Sequence, residues 1–332
     1  MTTIALDDES HGEIVGASAA FVETLVQMRR IAASEAAVLI EGETGCGKEL
    51  AARALHYRGP RNAGPFVPIN CGALSDQLLE AELFGHERGA FTDAKLARRG
   101  LVAEANGGTL FLDEVDALSA KAQVTLLRFL QDQRYRPLGC SREMSSNVRL
   151  IAATNQTLDD AVRAGSFRSD LMYRLKIWHL VLPPLRARGD DALLLARHFV
   201  ARLCAKYGLP LKSFDVATLA WMAAHPWPGN VRELENWVHR QVLMAEGPTI
   251  RRLSDDAAAG ETRDGAQASG GVGNFQRAKA EAIRRFERDY VLVAMRQTGG
   301  NVTRAAQIAG KERRAFGKLI KKHGIDREAL TS

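Results

Sequence analysis

The string GETGCGKE, Gly42 to Glu49, follows the apolar run Val38, Leu39, Ile40 and leads into a stretch with helical spacing. Gly42, Gly45, Gly47 and Lys48 fit the pattern GxxxxGK, which belongs to a strand, a tight loop and a helix in succession. Glycine is needed because phosphate oxygens must approach bare backbone N–H groups, while the helix N-terminus and the lysine supply positive potential. Gly42, Glu43, Thr44, Gly45, Cys46, Gly47, Lys48 and Glu49 are therefore the expected nucleotide-binding residues. The usual pattern ends in Ser or Thr as a magnesium ligand, and here Glu49 stands in that place.

Downstream, GGTLFLDEVD ends an apolar strand in two adjacent carboxylates, Asp113 and Glu114. Burying such a pair without a partner is costly, so a metal or a water is expected beside it. Asp113 is the candidate magnesium ligand, directly or through water. Glu114 is the candidate to orient and polarise the water that attacks a γ-phosphate. ATP and magnesium are the expected cofactors.

Around these motifs, Ala37 to Ile40, Leu110 to Leu112 and Val148 to Ala152 are short apolar runs alternating with amphipathic segments such as Ala122 to Leu130. That alternation predicts an α/β sheet domain. From Ala192 to Met244 the pattern becomes helical without strands. Leu253 to Gly273 is small, polar and Gly-rich, with almost nothing to bury, and reads as a linker.

The net charge of +6 is unevenly placed: Asn274 to Ser332 holds 14 Lys/Arg against 6 Asp/Glu, leaving 31 against 33 upstream. In this basic tail, Phe275, Ala278, Ala282, Phe286, Tyr290 and Val293 form one helical stripe, which Gly299 and Gly300 stop. Asn301 then caps a second helix with Val302, Ala305, Ala306 and Ala309 on one face, and Gly310 turns the chain into a third. Phe316, Leu319 and Ile320 point inward in that third helix, leaving Arg313, Arg314, Lys318, Lys321 and Lys322 outward as candidate DNA contacts. Gly317 inside it should weaken the helix by about 1 kcal/mol relative to Ala. The pattern is that of a helix-turn-helix; an oligomerisation module with solvated charges is the plainer alternative.

Other classes are disfavoured. No run approaches the roughly 18 apolar residues of a membrane span, and the start lacks a basic region followed by an apolar stretch, so a cytoplasmic protein is expected. Cys46, Cys71, Cys140 and Cys204 form no CxxC pair, which argues for reduced thiols and against zinc or a disulfide framework.

Read together, GETGCGKE, NCGAL, ELFGHERGAFTDA, GGTLFLDEV, VRLIAATN, FRSDLMYRL, LPPLRARGDD and WPGNVRELEN resemble the successive signatures of the AAA+ activators of sigma-54 RNA polymerase. The resemblance runs from Ile14 to Gly247, and TGGNVTRAAQIAG with KKHGI resembles the family's Fis-type tail. It implies an AAA+ P-loop parallel sheet subdomain over 14–184, a helical lid over 185–252, a linker over 253–273 and an all-α helix-turn-helix domain over 274–332. Residues 1–13 are then a short extension, too brief for a sensing domain, so control is expected from elsewhere, a separate regulatory protein being one source.

The resemblance also implies site roles. Position 49 is usually Glu in the family. Asn70 matches the asparagine that holds the catalytic glutamate, here Glu114, away from water. Thr154 and Asn155 match the first sensor, beside the γ-phosphate, and Arg232 the second. Arg168 and Arg174 match the arginines that reach a neighbouring subunit's site, which implies a ring, a hexamer assembled from smaller oligomers. Gly89, Ala90, Phe91, Thr92, Asp93 and Ala94 match the loop GAFTGA that touches the sigma factor, with Asp93 in place of Gly. The implied partners are DNA upstream of promoters, sigma-54 polymerase and further copies of the chain. A regulator that works without sigma-54 and uses nucleotide to control assembly is the second reading, opened by Asp93.

Overall fold

In the computed structural model, five strands form one parallel sheet: β1 (Val38–Glu41), β2 (Phe66–Asn70), β3 (Thr109–Asp113), β4 (Arg149–Thr154) and β5 (Trp178–Val181), in the spatial order β2-β3-β4-β1-β5. The structure describes residues 14–73, 76–90, 96–252, 291, 295, 298, 301–309 and 313–322. The chain divides into two units, Met1–Leu253 and Ser254–Ser332.

The sheet is covered on both faces, as parallel sheets must be. On β1, Leu39 enters one core, with Leu110, Leu112, Leu150 and Ala152 of the neighbouring strands. Val38 and Ile40 enter the other, with Phe111, Ile151 and Ala153. This period of two follows from the alternation of side chains along a strand. Helices Ala19–Ala32 and Lys48–Tyr57 cover the second face through Leu25, Met28, Ile31, Ala51, Ala52 and Leu55, and helices Ala120–Asp132 and Ser169–Leu175 help cover the first through Leu126, Phe129, Leu171 and Leu175.

β2 and β5 are edge strands that the apolar runs did not reveal. Their burial is broken, with Pro68 in β2 and exposed Trp178, His179 and Val181 in β5. Arg149, at the start of β4, is almost fully buried. Its guanidinium donates to the carbonyls of Ile31 (3.0 Å) and Leu55 (3.1 Å), near the C-terminal ends of two helices where carbonyls lack helical partners.

Beyond the sheet, helices Asp191–Tyr207, Val216–Ala224 and Asn230–Met244 pack through Leu195, Phe199, Leu203, Met222, Trp227, Leu234 and Trp237. Asp215 caps the second of them, accepting from Thr218 N at 2.8 Å. This region was expected to lack strands, but Ser213–Phe214 pairs with Thr249–Ile250. Two residues are too few to leave an alternating pattern.

In the second unit, Val291, Met295, Ala305, Ala306, Phe316 and Ile320 form a small core, with Val302 and Ala309 packed against it. The helices Val302–Ile308 and Arg313–Lys322 are present, and Asn301 Oδ1 accepts from Thr303 N (3.1 Å) and Arg304 N (3.2 Å). Phe275, Ala278, Ala282, Phe286, Tyr290 and Val293, like the linker over 253–273, lie outside the described residues. All four cysteines are free, and no helix among the described residues is long and apolar enough to cross a membrane.

Candidate nucleotide site

β1 leaves the sheet at Glu41, and the loop that follows is set by two left-handed glycines, Gly45 (φ 78°) and Gly47 (φ 99°), conformations a side chain would strain. Gly47 then caps the helix that begins at Lys48. In-register pairing of Glu41 with Thr154, with Asn70 level with Asp113, brings the C-terminal ends of the strands to one edge, where open α/β sheets bind ligands.

The loop, β3 and β4 enclose a cleft of ≈ 400 Å³ lined by Thr44, Gly45, Gly47, Lys48, Glu49, Asp113, Glu114, Asn155 and Arg232. Lys48 is buried, its ammonium folded onto the loop, donating to the carbonyls of Gly42 (2.7 Å) and Glu43 (3.1 Å) and to Asn155 Oδ1. Burial pushes the Asp113 carboxyl above the usual range, with the charge of Lys48 opposing the shift. Asp113 Oδ1 accepts from Glu114 N at 3.0 Å, and Glu114 itself takes a left-handed backbone, φ 54° and ψ 47°. Glu49 faces an arginine one turn on, its Oε1 accepting from Arg53 Nη2 at 2.8 Å.

The two residues expected as a first sensor are divided. Thr154 is fully buried: its hydroxyl donates to Asp116 Oδ1 at 2.7 Å, so it braces the turn after β3 and does not open on the cleft. Asn155 does open on it, its amide nitrogen 3.5 Å from Glu114 Oε1 and its oxygen on Lys48. Asn70 also differs from expectation. Its Oδ1 accepts from Gly72 N (2.8 Å) and Ala73 N (3.1 Å), which is turn capping, and Asn155 is the amide that reaches Glu114. The Glu114 carboxylate lies against Gly72, where a Cβ would come within 2.5 Å of its Oε2.

Arg168 and Arg174 are absent from the lining of their own chain's cleft. Arg168 is held by Asp170 through Nε (3.0 Å) and Nη2 (2.7 Å), and Arg174 is exposed on the helix Ser169–Leu175. Arg232 sits over the loop, its backbone N donating to Gly45 O at 3.3 Å and its side chain exposed.

Sequence reading missed an apolar chamber of ≈ 170 Å³ that shares Gly47, Leu50, Val231 and Glu235 with the cleft and is walled by Ile14, Val15, Phe21, Leu182 and Leu195. It is closed by a buried ion pair. Arg188 Nε donates to Asp191 Oδ2 (2.9 Å) and Nη2 to Val15 O (2.9 Å), and its guanidinium carbon stands 3.5 Å from the Phe21 ring centroid. Asp191 in turn accepts from Ala17 N, Ser18 N and Ser18 Oγ. Arg188 and Asp191 stand three apart in LPPLRARGDD, but their contacts with Val15, Ala17 and Ser18 join positions far apart in the sequence and leave no local pattern to read.

Phe91, Thr92, Asp93 and Ala94 lie outside the described residues, whereas Gly89 and Ala90 precede them above a short ladder in which Gly85 pairs with Arg99 and His86 with Arg98. Of the candidate DNA contacts, Arg313 and Lys322 are exposed; the side chains of Arg314, Lys318 and Lys321 are outside the described set.

Comparison with known proteins gives three consecutive family matches: a sigma-54 interaction domain over residues 14–181, an AAA+ ATPase lid domain over 186–269 and a bacterial regulatory protein, Fis family, over 282–323. The chain is 41% identical over 324 residues to the regulatory protein AtoC of Escherichia coli (strain K12), covering 95% of this chain and 68% of that one. It is 40% identical over 346 residues to the DNA-binding transcriptional regulator NtrC of Rhizobium meliloti (strain 1021), with 96% and 71% covered. Among solved structures, NtrX from Brucella abortus in complex with ATP matches with a TM-score of 0.70 at 32% identity, over 95% of this chain and 70% of that one.

Proposed function

Because the chain belongs to the sigma-54 interaction domain family of AAA+ ATPases, we propose that it hydrolyses ATP to activate transcription, binding DNA through its Fis-type tail and remodelling sigma-54 polymerase into open complexes. The observation that carries this reading is the convergence of Lys48, Asp113, Glu114, Asn155 and Arg232 on one cleft at the strand ends.

In that reading the loop amides and Lys48 take the β- and γ-phosphates, exchanging the lysine's present carbonyl partners for phosphate oxygens. Glu114 orients the attacking water and accepts its proton. Asn155, touching both Lys48 and Glu114, is the residue able to register whether a terminal phosphate is present. Arg168 and Arg174 serve a neighbouring copy's cleft, which implies a ring, and Arg232 serves its own. Asn70 belongs to this machinery through the turn it caps, since that turn backs the Glu114 carboxylate.

Magnesium fits the site by its donor chemistry. The half-buried Asp113 carboxylate at the end of β3 lines the cleft beside Lys48, and one such oxygen ligand suits an ion that keeps its waters and shares substrate phosphates. Bound there, it would neutralise charge on the phosphates.

Glu49 and Asp93 are this chain's departures from the general patterns. Asp93 adds a negative charge to the loop that would touch the sigma factor, which favours a second reading, a regulator independent of sigma-54. Transcription in vitro with purified sigma-54 polymerase decides between them. Thr92→Ala should abolish open-complex formation while ATP hydrolysis and DNA binding persist, and Asp93→Gly should preserve or raise activation. Activation absent from the wild type and from Asp93→Gly alike would move the assignment to the second reading.

A further inference from the structure

Glu43 belongs to the phosphate loop but, unlike its neighbours Thr44 and Gly45, does not line the phosphate cleft. Its carboxylate turns to the lid. Oε2 accepts from Arg186 Nη1 (2.7 Å) and Oε1 from Arg186 Nη2 (2.6 Å), a bidentate pair, and Asn230 Nδ2 donates to Oε2 at 3.1 Å. The Arg186 guanidinium, with the Asn230 amide, holds the Glu43 carboxyl down to about 2.

Asn230 is fully buried in a left-handed conformation, φ 54°, and bonds three ways. Besides Glu43 it donates to Thr44 O (3.0 Å), and its Oδ1 accepts from Leu185 N (2.8 Å), the residue before Arg186. Two residues on, Arg232 N donates to Gly45 O. A Cβ on Gly45 would stand 2.3 Å from Gly229 O, so loop and lid backbones touch. Three successive loop residues, Glu43, Thr44 and Gly45, are thus each tied to the lid's 229–232 corner.

From this geometry we propose that Glu43 is a positioning residue, forming with Arg186 and Asn230 a latch that sets the lid corner on the phosphate loop and thereby aims Arg232 at the cleft. The proposal rests on the ATPase reading. Two physical points single out the carboxylate. An acidic group beside a phosphate loop repels the ligand unless neutralised, and the bidentate arginine does that while keeping the charge out of the cleft. The ion pair is also half exposed, so its contribution to stability is small and its consequence is orientation.

The test measures ATP turnover, affinity for a non-hydrolysable ATP analogue and melting temperature in the full chain, for Glu43→Gln, Arg186→Gln, Arg232→Ala and their pairwise combinations. Glu43→Gln and Arg186→Gln should each lower kcat on the order of 10-fold to 10²-fold, the scale on which small misplacements act. Their melting temperatures should stay near the wild type, and the double variant should be no worse than either single one. In an Arg232→Ala background, Glu43→Gln should change kcat little. Losses that multiply, or a Glu43→Gln loss undiminished without Arg232, would overturn the latch. A wild-type chain that binds the analogue without turnover would count against the ATPase reading instead, and the same cycles run on analogue affinity would then decide the latch.

Discussion

Glu114 combines two properties that a sequence motif alone does not convey: it follows the strand in a left-handed conformation, and its carboxylate stands over Gly72 at the mouth of the cleft. A side-chain-bearing residue held in that region is strained, and such strain gathers where a group must be aimed. Glu114→Gln keeps the shape and removes the base, so kcat for ATP should fall by about 10² or more while nucleotide affinity holds. Phosphate release and equilibrium binding on one preparation check this, and turnover comparable to the wild type would remove Glu114 from its role. Lys48 was legible in the sequence because phosphate chemistry fixes the glycine spacing of one strand-loop-helix unit, and Asp113 and Glu114 because they end a second apolar strand in adjacent carboxylates. The division of labour between Thr154 and Asn155 was not. It depends on Asp116, two residues past Glu114, whose contact with Thr154 exists only once β3 and β4 lie side by side.

At the scale of elements, the strands that could be read were those buried on both faces, β1, β3 and β4, because complete burial demands uninterrupted apolar runs. β2 and β5 escaped because an edge strand needs only intermittent burial and tolerates proline, as Pro68 illustrates. The pair Arg188 and Asp191 sits within LPPLRARGDD, but the string does not reveal that the pair ties residues 15–18 to the lid helix Asp191–Tyr207. Both side chains are almost fully buried, at 3% and 2% exposure. Burial pulls the Arg188 guanidinium below its usual range while the aspartate opposes that shift. Removing one partner strands the other without compensation, so Asp191→Ala should destabilise the protein by about 3–5 kcal/mol and open the apolar chamber beside the phosphate cleft. Denaturant unfolding with and without an ATP analogue measures both effects. Wild-type stability in this variant would show that the chamber is held by packing alone.

For the whole molecule, charge and chemistry are segregated: every residue lining the nucleotide cleft precedes residue 253, and the tail from 274 onward carries a net +8. The tail's small core holds Ala305, Ala306, Phe316 and Ile320, four of the inward positions read from the sequence, while Arg313 and Lys322 are exposed. If that surface neutralises DNA phosphates, deleting 274–332 should abolish operator footprints while basal ATP hydrolysis survives. A finer test follows from counterion release, since each phosphate contact contributes about 0.9 to the slope of log affinity against log salt. Replacing Lys321 and Lys322 by Ala should therefore weaken binding to all sequences and flatten that slope by about 1.8 if both touch phosphate. If Arg314 instead contacts a base edge, Arg314→Ala should relax sequence preference with little change in slope. Filter binding of operator and scrambled DNA over a salt series distinguishes these roles, because phosphate contacts shift both duplexes together and a base contact shifts the operator alone. Slopes identical in wild type and the double lysine variant would remove the phosphate role and leave the basic face as a solvated surface.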